Sequence, residues 1–140
     1  MHRTLESVGL EGVDTLLPGE LSGGMLRRAA FARAIVMEPE ILLCDEPFSG
    51  LDPPNVARIE HLLVDLKKRL GLTILVTSHH MASSLRMADR IVLLRAGRAV
   101  VGAPEALAAS DDSEIRAFMG EDGAAYLAAR REAAAPGAPA

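Results

Sequence analysis

With 140 residues, 49% of them hydrophobic, the chain has material for one domain with a sizeable core. Its 15 Lys and Arg against 19 Asp and Glu leave a net charge of −4, and no basic patch stands out, which argues against a nucleic-acid partner. Apolar runs fall well short of the roughly 20 residues that a membrane helix needs, and the single cysteine, Cys44, excludes an intrachain disulfide.

Taken in chain order, residues 1–10 (MHRTLESVGL) read as the last turns of a helix, with Leu5 and Val8 on one face and Gly9 near its end. A loop with Pro18 and Gly19 leads to Ser22. A helix is expected from about Gly24 to Met37, with Leu26, Ala29, Ala30, Arg33 and Ala34 on one side, stopped by Pro39. Ile41 to Asp45 reads as a buried strand. Cys44 lies inside it as a small core residue, as in a reducing compartment. Pro53 and Pro54 open a second helix with Ile59, Leu62, Leu63, Leu66 and Leu70 as its apolar stripe and Gly71 as its stop. Leu72 to Thr77 is a further buried strand, and His80 to Ala88 a short helix. Arg90 to Leu94 and Arg98 to Val101 form a hairpin turned by Ala96-Gly97. Short helices over residues 104–109 and 112–119 follow, and the Ala/Pro/Gly-rich end is expected to be disordered. This order predicts an α/β fold with a mostly parallel sheet.

Two motifs about twenty residues apart carry the chemistry. Leu21-Ser22-Gly23-Gly24-Met25 places a serine and two glycines at a helix start, where first-turn N–H groups and the helix dipole favour an anion. A plain N-cap at Ser22 is the alternative reading. Ile41-Leu42-Leu43-Cys44-Asp45-Glu46-Pro47 is an apolar run ending in two carboxylates. Neighbouring residues on a strand point to opposite sides, so one acid can face a metal while the next reaches a water. Surface acids at a strand end are the alternative. A phosphate cradle followed by a metal-and-base site is the pattern of nucleotide hydrolysis.

LSGGM, ILLCDEP, Ser49-Gly50-Leu51-Asp52 and Thr77-Ser78-His79 stand in the order and spacing of the ATP-binding-cassette (ABC) transporter ATPases, which residues 1–120 resemble. ELSGGM, RRAAFARAI and DEPFSGLDP are most similar to the Mla/Mce-type ATPases, linked to phospholipid transport and organic-solvent tolerance. Met25 carries much of that finer likeness, because most cassettes have Gln there. The resemblance assigns Asp45 to Mg²⁺ and Glu46 to orienting and deprotonating the attacking water. It assigns His79 to the γ-phosphate as the switch histidine. Ser22, Gly23 and Gly24 would meet an ATP held by the opposite subunit, and Asp52 lies where the loop crosses to that subunit. It implies a head-to-tail dimer with a second ABC ATPase subunit, a transmembrane permease, an Mce-domain lipid-binding protein, and no nucleic acid. The expected location is cytoplasmic, peripheral on the inner face of the membrane. His61 and His80 receive no role.

A phosphate-binding loop needs Gly-x-x-x-x-Gly-Lys-Ser/Thr, yet none of the twelve glycines is followed by Lys, and the chain has no glutamine for a Q-loop. The resemblance is therefore to the C-terminal part of a P-loop NTPase cassette without its Walker A strand. That strand would lie between the one ending near His79 and the one over Ile91 to Leu94, so these two are expected to be unpaired with each other or to pair in a way foreign to the family. The corresponding division is a helical part over 1–40, a core α/β part over 41–103, short helices over 104–122 and a disordered tail over 123–140. The other readings are a non-catalytic fragment offering its signature helix to an intact cassette, a pseudogene product, and the ATPase of another ABC import system. An ABC protein of DNA repair or translation fits worse, for want of coiled-coil heptads and basic character.

Overall fold

Pro53 and Pro54 start, and Gly71 stops, the helix that organises the first part of the chain. The computed structural model describes residues 2–134, which divide into two compact units, one up to His79 and one from His80 onward. The first unit holds α1 (His2–Ser7), a 3₁₀ turn at Pro18–Glu20, α2 (Gly23–Ile35), β1 (Ile41–Asp45), α3 (Pro53–Leu70) and β2 (Thr73–Thr77). Proline at the first helical position has no N–H to orphan, and Gly71 takes the left-handed conformation (φ 66°) at the other end. Val56, Ile59, Leu63 and Leu66 of α3 are buried, each contributing about 1.5–3 kcal/mol of transfer free energy. Leu62 is half-buried and Leu70 exposed, so the predicted stripe holds except at its last residue. Arg69 donates to the Ser7 carbonyl (2.8 Å), tying the end of α3 to α1.

β1 and β2 pair in parallel, from Ile41 opposite Thr73 to Asp45 opposite Thr77. Leu42 and Cys44 point into the core, but Ile41, Leu43 and Leu75 on the other face are 60%, 71% and 57% exposed. The sequence reading of two strands buried on both sides is corrected here. Parallel strands carry apolar residues on both faces because both are normally covered, and among the described residues only one face is. Helix α2 departs from expectation too. Its buried side is Gly24, Phe31, Ala32 and Ile35, while Leu26, Ala30, Arg33 and Ala34 of the predicted side are exposed. Alanines surround this helix, so its period marks no face, and the one large ring, Phe31, decides the orientation.

Burial pushes the Cys44 thiol up to about 11. The thiolate is the reactive species, so iodoacetamide at neutral pH is expected to leave Cys44 unmodified in the folded chain and to label it fully in urea. Rapid labelling without urea would show that this core face opens.

The second unit holds α4 (Met81–Met87), β3 (Ile91–Arg95), β4 (Arg98–Gly102), α5 (Pro104–Ala108) and α6 (Ser113–Ala134). β3 and β4 form the predicted antiparallel hairpin, turning through Ala96 and Gly97, both at positive φ. Leu85, Ile91, Leu93, Leu107 and Met119 make its core. β2 pairs with β1 and β3 with β4, so the two strands expected to flank a missing one belong to different sheets. The boundary between units therefore falls at His79, inside the stretch 41–103 that the sequence reading kept as one part.

The predicted tail differs most. After a kink at Gly120 (φ 54°, ψ −145°), a conformation open essentially to glycine, α6 continues to Ala134. The disorder expected over 123–140 is thus replaced by helix as far as 134, and residues 135–140 lie outside the described ones. The Tyr126 hydroxyl donates to Glu105 Oε1 (2.9 Å), and Arg130 reaches the same oxygen at 3.0 Å. Hydrogen bonding from its own backbone, then the Tyr126 hydroxyl and the Arg130 charge, hold the Glu105 carboxyl below the ordinary glutamate range. A carboxyl lowered in the folded state adds stability above its unfolded pKa of about 4.3. That stability is lost as pH falls through the lower folded value. Tyr126→Phe is expected to speed amide exchange in residues 121–130 at neutral pH and to narrow the difference between neutral and acid, with the hairpin amides unchanged. Equal exchange in both proteins would assign the helix to packing alone.

Candidate functional site

All seven residues singled out from the sequence lie at or within two residues of the end of an element of the first unit: Gly23 begins α2 and Asp45 ends β1. Asp45 is the last residue of β1 and accepts a hydrogen bond from the Thr77 hydroxyl, its partner across the ladder. Glu46 follows with φ 45°, in the left-handed region. Its N–H donates to the Thr77 carbonyl (3.0 Å), extending the β1–β2 pairing by one residue before the chain turns away. That turn brings Glu46 Oε1 to 3.4 Å from His79 Nε2. The imidazole is almost wholly exposed, whereas the carboxylate is about one-third exposed. Asp45, Glu46 and His79 thus gather at the carboxyl ends of two parallel strands, where open α/β sheets bind ligands.

Ser22, Gly23 and Gly24 form a second cluster. Ser22 is the N-cap of α2, and its Oγ accepts from the Met25 N–H at 3.3 Å, so the capping role is real. A Cβ at Gly24 would sit 3.0 Å from Asn55 Oδ1. Asn55 in turn donates from its side-chain amide to Asp52 Oδ1. Asp52 occupies the N-cap position of α3, but its side chain makes no capping bond, serving Asn55 instead. The α2 start and the loop before α3 therefore meet through Asn55.

Sequence reasoning missed Arg27, Asn55 and Thr77. Arg27 donates to the carbonyls of Glu46 (3.1 Å) and Ser49 (2.9 Å), joining the two clusters. The Arg27 and Thr77 contacts span 19 to 32 residues, which local patterning does not reach. His80, given no role, stands at the N-cap position of α4 without a side-chain capping bond, and its ring shares a 2.7 Å hydrogen bond with the buried Ser83 hydroxyl.

Among the described residues no three His, Cys, Asp or Glu side chains form a metal cage. Asp45 with the Thr77 hydroxyl offers hard oxygen donors of the kind Mg²⁺ takes from proteins, which supply one or two carboxylates while phosphates and water complete the shell. The arrangement suits an acid beside a cation and a second acid that takes a proton.

The ABC transporter family model matches residues 1–49. The "Intermembrane phospholipid transport system ATP-binding protein MlaF" of Escherichia coli K12 is 44% identical over 116 residues, 82% of this chain and 43% of that protein. The "Probable ribonucleotide transport ATP-binding protein mkl" of Mycobacterium leprae is 40% identical over 82% of this chain and 33% of its own length. Among solved structures, cbiO1 of Clostridium perfringens, part of the ABC transporter complex cbiONQ, superposes with a TM-score of 0.73 at 30% identity, covering 89% of this chain and 51% of its own. The chain thus spans less than half the length of the curated relatives it matches. It belongs to the family of ABC transporter ATP-binding domains.

Proposed function

We propose that this chain carries the hydrolytic and signature portions of the ATP-hydrolysing subunit of an ABC transporter that moves phospholipid across the cell envelope. The single observation that supports it best is the approach of Glu46 to His79 beside Asp45, at the edge of a parallel strand pair. In this reading Asp45 holds Mg²⁺, which when bound neutralises charge on the β- and γ-phosphate oxygens of ATP. Glu46 orients the attacking water and accepts its proton. His79, its ring almost wholly exposed, contacts the γ-phosphate. Ser22, Gly23 and Gly24 offer first-turn amides to the γ-phosphate of a nucleotide on the partner subunit, and Asp52 stands at the loop that crosses to it. The subunits are head-to-tail, and a permease binds them to the inner face of the membrane, with an Mce-domain protein as a further partner. The phospholipid assignment leans on likeness to MlaF. The ribonucleotide wording of the mkl name makes another import substrate the second reading.

The test is a full-length cassette of this sequence, purified with its permease in phospholipid vesicles. Permease-stimulated ATP turnover with movement of a fluorescent phospholipid is expected. Turnover without lipid movement would remove the lipid assignment, and no turnover would remove the enzymatic one.

A further inference from the structure

We infer that Arg27 is a positioning residue that holds the Glu46 backbone in the conformation from which its carboxylate meets His79. The inference rests on the reading of Glu46 as the base, but its geometry stands apart from that reading. Glu46 sits at φ 45°, which a residue with a Cβ adopts only when its surroundings impose it. Two elements impose it here. The Thr77 carbonyl takes the Glu46 N–H at 3.0 Å, and Arg27 Nη1 donates to the Glu46 carbonyl at 3.1 Å. The same guanidinium donates from Nη2 to the Ser49 carbonyl at 2.9 Å, three residues further round the turn.

That turn has other anchors. Phe48 is buried, and the Ser49 N–H donates to the Glu46 carbonyl at 3.2 Å. Neither fixes the orientation of the Glu46 peptide from outside the turn. The guanidinium serves the two carbonyls from two nitrogens held in a fixed planar fork, whereas lysine has to reach both from one nitrogen on a flexible stem. Arg27 also lies one turn beyond the Ser22–Gly24 cluster on α2, so the placement of that helix is carried to the carboxylate through one side chain.

The experiment is amide and side-chain NMR on the full 140-residue chain, comparing Arg27→Ala, Arg27→Lys and Arg28→Ala. Arg28 is the control, since it sits on the same helix and donates to a different carbonyl, that of Gly9 (2.8 Å). In the unaltered chain a through-space cross-peak is expected between the Glu46 side chain and the His79 ring. Arg27→Ala should abolish it and speed exchange of the Ser49 amide about ten- to hundredfold, the range for losing a charged hydrogen bond. Arg27→Lys should restore part of both, and Arg28→Ala should change neither. An unchanged cross-peak in Arg27→Ala overturns the inference. So does loosening spread evenly through the first unit, which marks a merely structural arginine. Should Arg27→Ala fail to fold, Arg27→Lys decides, and a cross-peak of full strength there overturns it. None of these readouts involves turnover, so the positioning can fail while Glu46 remains the base, and the reverse.

Discussion

Glu46→Gln, carried in a full-length cassette of this sequence, is expected to bind ATP and lose turnover by about 10²–10⁴, the usual consequence of removing a general base. That range corresponds to roughly 3–5 kcal/mol of barrier. The amide keeps the size of the side chain and a hydrogen bond toward His79 Nε2, 3.4 Å away in the native pair. Its N–H and carbonyl contacts to Thr77 and Arg27 are backbone and persist. Ground-state binding is therefore preserved while the proton acceptor is gone, and kcat should fall with KM for ATP little changed. Steady-state phosphate release and equilibrium binding of a fluorescent nucleotide, measured on the same preparation, check both halves. Near-normal turnover would move the base elsewhere.

What was legible from the sequence lay in local rules. Proline at the start of α3, Gly71 at its end, Ser22 capping α2 and the Ala96-Gly97 turn each follow from backbone chemistry within a few residues, and each stands where the pattern put it. The site acids were legible because an apolar run ended in two carboxylates. Their conformation was not. Nothing in Cys44-Asp45-Glu46-Pro47 announces that Glu46 turns left-handed, because Thr77 and Arg27 impose that from 31 and 19 residues away. The face of α2 was hidden by its alanines, and the helix beyond Gly120 by a composition shared with disordered tails. There Tyr126 and Arg130 reach Glu105 and supply the order that the composition lacks. The run Ile41 to Cys44 misled in the opposite direction. It is written for cover on both faces, and among the described residues one face is covered.

The 140-residue chain alone is expected to show no ATP binding in a calorimetric titration and no hydrolysis. A triphosphate needs a nest of backbone N–H groups with a lysine over its β- and γ-phosphates. No Gly-Lys pair occurs among the twelve glycines to begin one. The two clusters that are present do not replace it. At the β1–β2 edge the side chains nearest a nucleotide would be Asp45 and Glu46, which repel phosphate unless a cation intervenes. At α2, Ser22 already spends its Oγ on the Met25 N–H, leaving a few exposed amides. A helix terminus of that kind contributes about 0.3–1 kcal/mol to an anion at the surface, whereas even a 1 mM complex needs about 4 kcal/mol. Heats indistinguishable from dilution at millimolar ATP, with and without Mg²⁺, are the expected result. Micromolar binding, with or without turnover, would show that these residues build a phosphate site of their own.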